Sequence, residues 1–217
     1  MLQSQTPDTT RLYLVRHGAT DANLQRPHVL QGKGIDLSLN ELGRQQAAAV
    51  GRFLAAFPIQ HVYASPMRRA MQTAQAIAEH HAQDVVDVPE IVEADVGNWE
   101  GLDWGRIMRE HPDEYRAFID DPGRNPYLGG ESYGDVQRRV QPALQGLLQR
   151  HPGETIAVVA HNVVNRVYLA GLMNVDLKYA KGLRQSNAGV NVVRHRRGET
   201  EVITLNAHFH LEGVEAT

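Results

Sequence analysis

The chain has 217 residues, 42% of them hydrophobic and 22% charged, which is enough for a sizeable core and ordinary for a soluble globular protein. The absence of cysteine excludes disulfides, thiolate metal sites and cysteine nucleophiles. A net charge of -3 with no long basic run gives no support for nucleic acid or a membrane as a partner, and no window approaches a membrane span.

Residues 1–10 carry no apolar segment and read as a disordered or extended leader without a secretory signal. The expectation is a cytoplasmic protein with a single domain over residues 11–217. Leu12-Tyr13-Leu14-Val15 is a short apolar run that stops at Arg16-His17-Gly18, the pattern of a buried strand feeding a loop. A helical pattern follows from Ser38, with Ser38 and Glu41 spaced as a capping box. His61-Val62-Tyr63-Ala64 reads as a second strand, and Ser65-Pro66 as the cap and first turn of a helix to about His80. Val85–Val88 reads as a further strand. Residues 97–131 are rich in Gly, Pro and Asp, with short helical stretches near 102–110 and 112–119, and read as a lid excursion. Ser132 caps a helix to about Arg150, which Pro142 is expected to bend or interrupt. Thr155–Ala160 is a β-branched strand ending at His161, followed by an apolar helix to about Leu172. The tail reads as a hairpin turning at Arg197-Gly198.

Alternating strands and helices predict a three-layer α/β/α architecture with a mostly parallel central sheet and a C-terminal hairpin. In such sheets ligands gather beyond the carboxyl ends of the strands. His17, His161 and Ser65, with Arg68 and Arg69 just beyond, all follow strand ends. Two histidines and arginines converging there make an anion site, and arginine suits a tetrahedral phosphate because its planar fork donates two parallel hydrogen bonds. No carboxylates accompany these histidines at metal-ligand spacing, so a phosphate pocket is favoured over a metal site.

The run Leu14-Val15-Arg16-His17-Gly18-Ala19-Thr20 resembles the signature of the histidine phosphatase superfamily, in its phosphoglycerate-mutase-like branch. Further segments follow in the same order: Asn23, Gln31-Gly32, Ser65-Pro66-Met67-Arg68-Arg69-Ala70 with Thr73-Ala74, Glu93 with Gly97 and Glu100-Gly101, Gly130-Glu131-Ser132 and Val159-Ala160-His161. The resemblance covers about residues 11–210 and implies a phosphoglycerate-mutase-like fold.

The resemblance implies that His17 attacks phosphorus and becomes phosphohistidine. Arg16, Arg69 and His161 then surround the phosphoryl oxygens, Glu93 is the general acid and base, and Asn23, Gln31, Gly32 and Asn162 contact substrate. It implies no metal and no cofactor, with a small-molecule phosphate ester as substrate and inorganic phosphate as product. His17 must attack as neutral imidazole, which flanking Arg16 and Arg69 favour, with a backbone carbonyl expected to hold its tautomer. His161 is expected to be protonated against a phosphate dianion. Glu131 stands as the alternative acid. Asn162 replaces a usual glycine, and asparagine tolerates left-handed backbone.

Hydrolysis of phosphomonoesters is the favoured reaction, with a cofactor-dependent phosphoglycerate mutase as the alternative and a non-catalytic phosphometabolite-binding protein as a remote one. Mutases of the family carry basic and aromatic side chains after the catalytic glutamate, where this chain has Ala94 and Val96. Trp99, Trp104, Tyr115 and Tyr127 in the lid segment are read as packing residues. Nothing in the sequence marks an oligomer interface.

Overall fold

A computed structural model describes residues 8–214, so the first seven positions of the expected leader and the last three residues lie outside the described residues. In chain order the elements are β1 (Thr9–Arg16), α1 (Asp21–Leu24), α2 (Glu41–Leu54), β2 (His61–Ala64), α3 (Arg68–Ala78), β3 (Val85–Asp87), α4 (Trp104–Glu110), α5 (Pro112–Asp120), α6 (Tyr133–Arg150), β4 (Thr155–Ala160), α7 (Asn162–Leu172), β5 (Val190–Arg196) and β6 (Glu199–Ala207). The strands form one six-stranded sheet in the order β3-β2-β4-β1-β5-β6. β1 to β4 run parallel, while β5 pairs antiparallel with β1 and folds back on β6 as the hairpin.

Side-chain alternation along the strands divides the core into two layers. Leu12 and Leu14 of β1 with Ile156 and Val158 of β4 face α6 and α7, whose Val140, Leu144, Val164 and Val167 are fully buried. Tyr13 and Val15 with Ala157 and Val159 face α2 and α3 through Val50, Leu54, Ala74 and Ile77. The result is the expected three-layer α/β/α arrangement with a mostly parallel sheet. β1 begins two residues inside the expected leader, and Thr10 is buried there, its hydroxyl donating to His151 O at 2.7 Å. Among the described residues no helix is long and apolar enough to cross a membrane.

Helix starts differ from expectation in two places. Asn40, not Ser38, caps α2, its side chain accepting from Gly43 N at 2.8 Å. α3 begins only at Arg68, after Met67, because Ser65 is drawn into the site described below. Ser132 does cap α6, in a capping box with Asp135, and α6 continues through Pro142 without interruption.

Candidate active site

The sheet's topology brings the candidate residues to one rim. β1 and β4 are parallel neighbours in the register Arg16↔Ala160, and β2 lies on the other side of β4 with Ala64 opposite Val159. The residues that follow, His17, His161 and Ser65, therefore leave three adjacent strand ends at one level. Adjacent strands are spaced about 4.8 Å apart, and the His17 and His161 ring centroids are 5.2 Å apart.

The loop after β1 fixes the His17 ring. His17 Nδ1 lies 2.6 Å from Gly18 O, so this nitrogen carries the proton and donates, leaving a lone pair on Nε2. A side chain at position 18 is excluded, because a Cβ there would overlap the Gly43 carbonyl. Gly18 N donates in turn to Thr73 Oγ1 at 3.0 Å, tying the loop to α3. Arg69, one residue into α3 and fully buried, donates from Nε to His17 Nε2 at 3.2 Å. Its terminal nitrogens hold the 31–35 loop by donating to Ile35 O at 3.0 Å and Gly32 O at 3.3 Å. Arg68 is a surface residue near Asp36 and does not join the site.

Burial pushes the His17 pKa well below the usual imidazole value, and the neighbouring Arg69 and Arg16 charges push it further down against the Gly18 bond. The ring is thus neutral at pH 7. His161 is lowered as well, first by burial and then by Arg69, His17, Arg16 and Arg139, so the protein's own groups favour the neutral ring. Its Nε2 lies 2.8 Å from Ser65 Oγ, and that oxygen also accepts from Met67 N at 3.4 Å. In the tautomer in which the Ser65 hydroxyl donates to Nε2, the ring proton resides on Nδ1. A neutral His161 thereby presents a donor without needing a second proton. This Nδ1 and Arg16 Nε are buried and, among the described residues, without a hydrogen-bond partner. Orphaned buried polar groups ordinarily cost about 1–3 kcal/mol each, a cost that an oxyanion accepting from both removes. Burial lowers Arg16 to about 10, with Glu93 opposing and Arg166 and Arg69 reinforcing.

A cavity of about 1160 Å³ opens over this group. Arg16, His17, Asn23, Gln31, Glu93 and Asn162 line it; Arg69, His161 and Gly32 do not. Arg69 and His161 adjoin the cavity's floor through their contacts with His17. Glu93 is buried, with Oε1 accepting from Ala94 N at 2.9 Å and Oε2 from Val163 N at 3.3 Å. Glu131 is not on the cavity. It pairs with Arg139 at 2.8 Å and accepts from Asp95 N, and these bonds outweigh the upward effect of its burial to lower its pKa. Arg139 also donates to the carbonyls of Glu90, Val92 and Glu93, so the pair clamps the segment that carries Glu93.

Asn23 and Gln31 are joined through Thr20: the Thr20 hydroxyl lies 2.8 Å from Gln31 Oε1 and 3.2 Å from Asn23 Oδ1. With that oxygen also accepting from Asn187 Nδ2, the Asn23 amide group is left for the cavity. Gly32 is a structural residue rather than a contact. Its N–H is spent on Glu100 Oε1 at 2.6 Å, and a Cβ there would overlap Ala94 O. Asn162 is the first residue of α7 and is not among the residues of positive φ, so no left-handed backbone explains it. Its Oδ1 is buried and has no hydrogen-bond partner among the described residues.

Arg166, Lys181 and Arg184 on the cavity wall, and Arg139 behind Glu93, are further residues that the sequence reading does not single out, whereas Ser65 stands in it at the same strand-end rim. Of the aromatics in residues 97–131, Trp99 is fully buried, 5.6 Å from Phe118 and 6.1 Å from Trp104 between ring centroids. Trp104, Tyr115 and Tyr127 pack in the same cluster and also line the cavity. Among the described residues, the donor atoms of His61, His151 and Glu154 lie within 4.8 Å of one another, the spacing of a metal-ligand set. They stand at the amino ends of β2 and β4, the opposite end of the sheet from His17. His195 lies on the hairpin, bonded to Thr200.

The sequence profile of the histidine phosphatase superfamily (branch 1) matches residues 12–208. The chain is 31% identical to phosphoserine phosphatase 1 of Hydrogenobacter thermophilus over 201 residues, covering 93% of this chain and 94% of the relative. It is 34% identical to the metal-independent phosphoserine phosphatase of Arabidopsis thaliana over 217 aligned positions, covering 95% and 85%. The native structure of a mycobacterial glucosyl-3-phosphoglycerate phosphatase superposes with a TM-score of 0.81 at 27% identity, covering 92% of this chain and all of that one.

Proposed function

Because the chain belongs to the histidine phosphatase superfamily (branch 1) and is a small-molecule phosphatase of that family, we propose that it hydrolyses phosphomonoesters through a phosphohistidine on His17, with Glu93 as general acid and base. The observation that carries this reading is the His17 ring itself. Nδ1 is bound to Gly18 O, Nε2 holds the lone pair, and burial with two arginines keeps the ring neutral.

The Nε2 lone pair forms a bond to phosphorus as the bond from phosphorus to the ester oxygen breaks. The departing oxygen takes the proton of Glu93. Arg69 Nε–H, which caps Nε2 before substrate arrives, moves onto a phosphoryl oxygen, where Arg16 Nε–H and His161 Nδ1–H join it. Three donors converging on the phosphoryl oxygens stabilise the charge on the transferring group, the requirement for phosphoryl transfer. In the second half, Glu93 as carboxylate takes a proton from water, which attacks phosphorus. The P–N bond breaks, its electron pair returns to Nε2, and inorganic phosphate leaves.

Hydrolysis is preferred to mutase chemistry, in keeping with Ala94 and Val96, both buried, after Glu93. We read residues 11–217 as one domain with 97–131 as a lid, supported by the aromatic cluster that anchors this excursion to the core. We read the compartment as the cytoplasm, in keeping with a chain that has no cysteine to oxidise.

Assaying phosphate release from a panel of phosphorylated metabolites with EDTA present, beside His17→Ala, tests the proposal. The expected result is hydrolysis insensitive to EDTA and reduced at least about 10³-fold in the variant. Loss of activity in EDTA, or its survival in His17→Ala, overturns the reading.

A further inference from the structure

The cavity holds more positive charge than one phosphoryl group uses. Five arginine or lysine side chains line it, Arg16, Arg26, Arg166, Lys181 and Arg184, against one carboxylate, Glu93. Arg166 lies on α7 four residues beyond Asn162, so the two share the face turned to the cavity. Its Nε–H donates to Leu183 O at 2.9 Å, which ties α7 to the segment carrying Lys181. The Lys181 ammonium lies 4.3 Å from the Phe118 ring centroid and 5.6 Å from that of Trp104. Among the described residues it makes no hydrogen bond and has no carboxylate partner. Burial, with the Arg166 charge behind it, lowers its pKa to about 8. Arg166 acts on Arg16 in the same sense, so Arg166 is coupled both to the nucleophile's cation and to Lys181.

A partly desolvated ammonium held against aromatic rings and repelled by a guanidinium is unfavourable alone. The rings offset only part of that cost. A negative group on the ligand removes the rest. We propose that Lys181, backed by Arg166, forms a second anion subsite that takes a carboxylate or a second phosphate carried by the leaving alcohol. The substrates of the site are then phosphomonoesters bearing another negative group. This rests on the phosphatase reading above and adds to it the recognition of the leaving group.

The test compares kcat/KM for three esters on one carbon skeleton, with p-nitrophenyl phosphate as a general control. 3-Phosphoglycerate carries a carboxylate, glycerol 1,3-bisphosphate a second phosphate, and glycerol 3-phosphate neither. At least one anionic ester is expected to exceed glycerol 3-phosphate by about 10- to 100-fold, the value of a charged hydrogen bond in a site, and the better one names the anion. Lys181→Met is expected to lose most of that ratio, chiefly through KM, and Lys181→Arg to keep it. Equal turnover of all three by the wild type, or a Lys181→Met protein that slows all three alike, overturns the subsite and leaves the phosphatase reading standing. Hydrolysis of none of the four overturns both.

Discussion

His17 meets two demands that ordinarily conflict: it must sit among cations that receive a phosphoryl group, yet keep a lone pair. Burial and like charge satisfy both, since each disfavours the imidazolium. The consequence is measurable as stability. An unfolded histidine titrates near 6.5, whereas burial first, and neighbouring charge second, depresses folded His17 and His161 well below it; His28, His81 and His210 shift the same way. Between those values the unfolded chain binds more protons, so stability falls as pH drops below about 6.5 toward the folded pKa values. Urea midpoints are expected to be lower at pH 5.5 than at 7.5, with a smaller decrease in His161→Gln; midpoints independent of pH count against buried neutral rings. Glu93 invites a separate test. Glu93→Gln is expected to lower kcat/KM, which reports transfer to His17 and not the later hydrolysis, by about 10²–10⁴-fold for alkyl phosphates and far less for p-nitrophenyl phosphate, since nitrophenolate departs without a proton. Equal losses of kcat/KM on both contradict its role as the acid. His17, Arg16, Arg69 and Glu93 are legible in sequence because motif order carries them. Ser65 is read there both as a rim residue and as a cap, since a serine before Pro66 has the same local pattern whether its hydroxyl serves a helix or His161, and only the first holds.

Elements are legible where periodicity is strong and less so at their ends. β4 and α7 fall where the apolar patterns put them, because Thr155–Ala160 is buried throughout and α7 is apolar over most of its surface. The start of α2 is different. Ser38 and Asn40 are both good caps two residues apart, and the chain's path past Ala19, whose carbonyl accepts from Asn40 N at 3.1 Å, decides between them. Asn40→Ala is therefore expected to cost about 1 kcal/mol, and Ser38→Ala to stay within about 0.5 kcal/mol. Urea denaturation of the two variants checks this, and equal effects contradict the assignment. The Arg139–Glu131 clamp shows the same limit, for it joins α6 to carbonyls some 46–49 positions earlier, a relation that no local pattern records.

Across the molecule, the three-layer plan follows from alternation of strand and helix, but the neighbour order β2-β4-β1 is set by packing, and that order makes the site. It sets the ends of three strands side by side, so that residues 17, 65 and 161 meet. The cavity wall is less legible. Arg166 and Lys181 belong to a helix face and a turn whose shared cavity exists only after folding, and in sequence each passes as an ordinary surface cation. All of this serves one chemical event, a bond from His17 Nε2 to phosphorus. Rapid quenching of the enzyme with a phosphomonoester, followed by mass spectrometry of the digest under alkaline conditions, looks for that bond directly. The account predicts transient phosphate on the peptide containing His17, absent from His17→Ala. Phosphate release with a pre-steady-state burst and no modification of that peptide, or label on His161 instead, contradicts it.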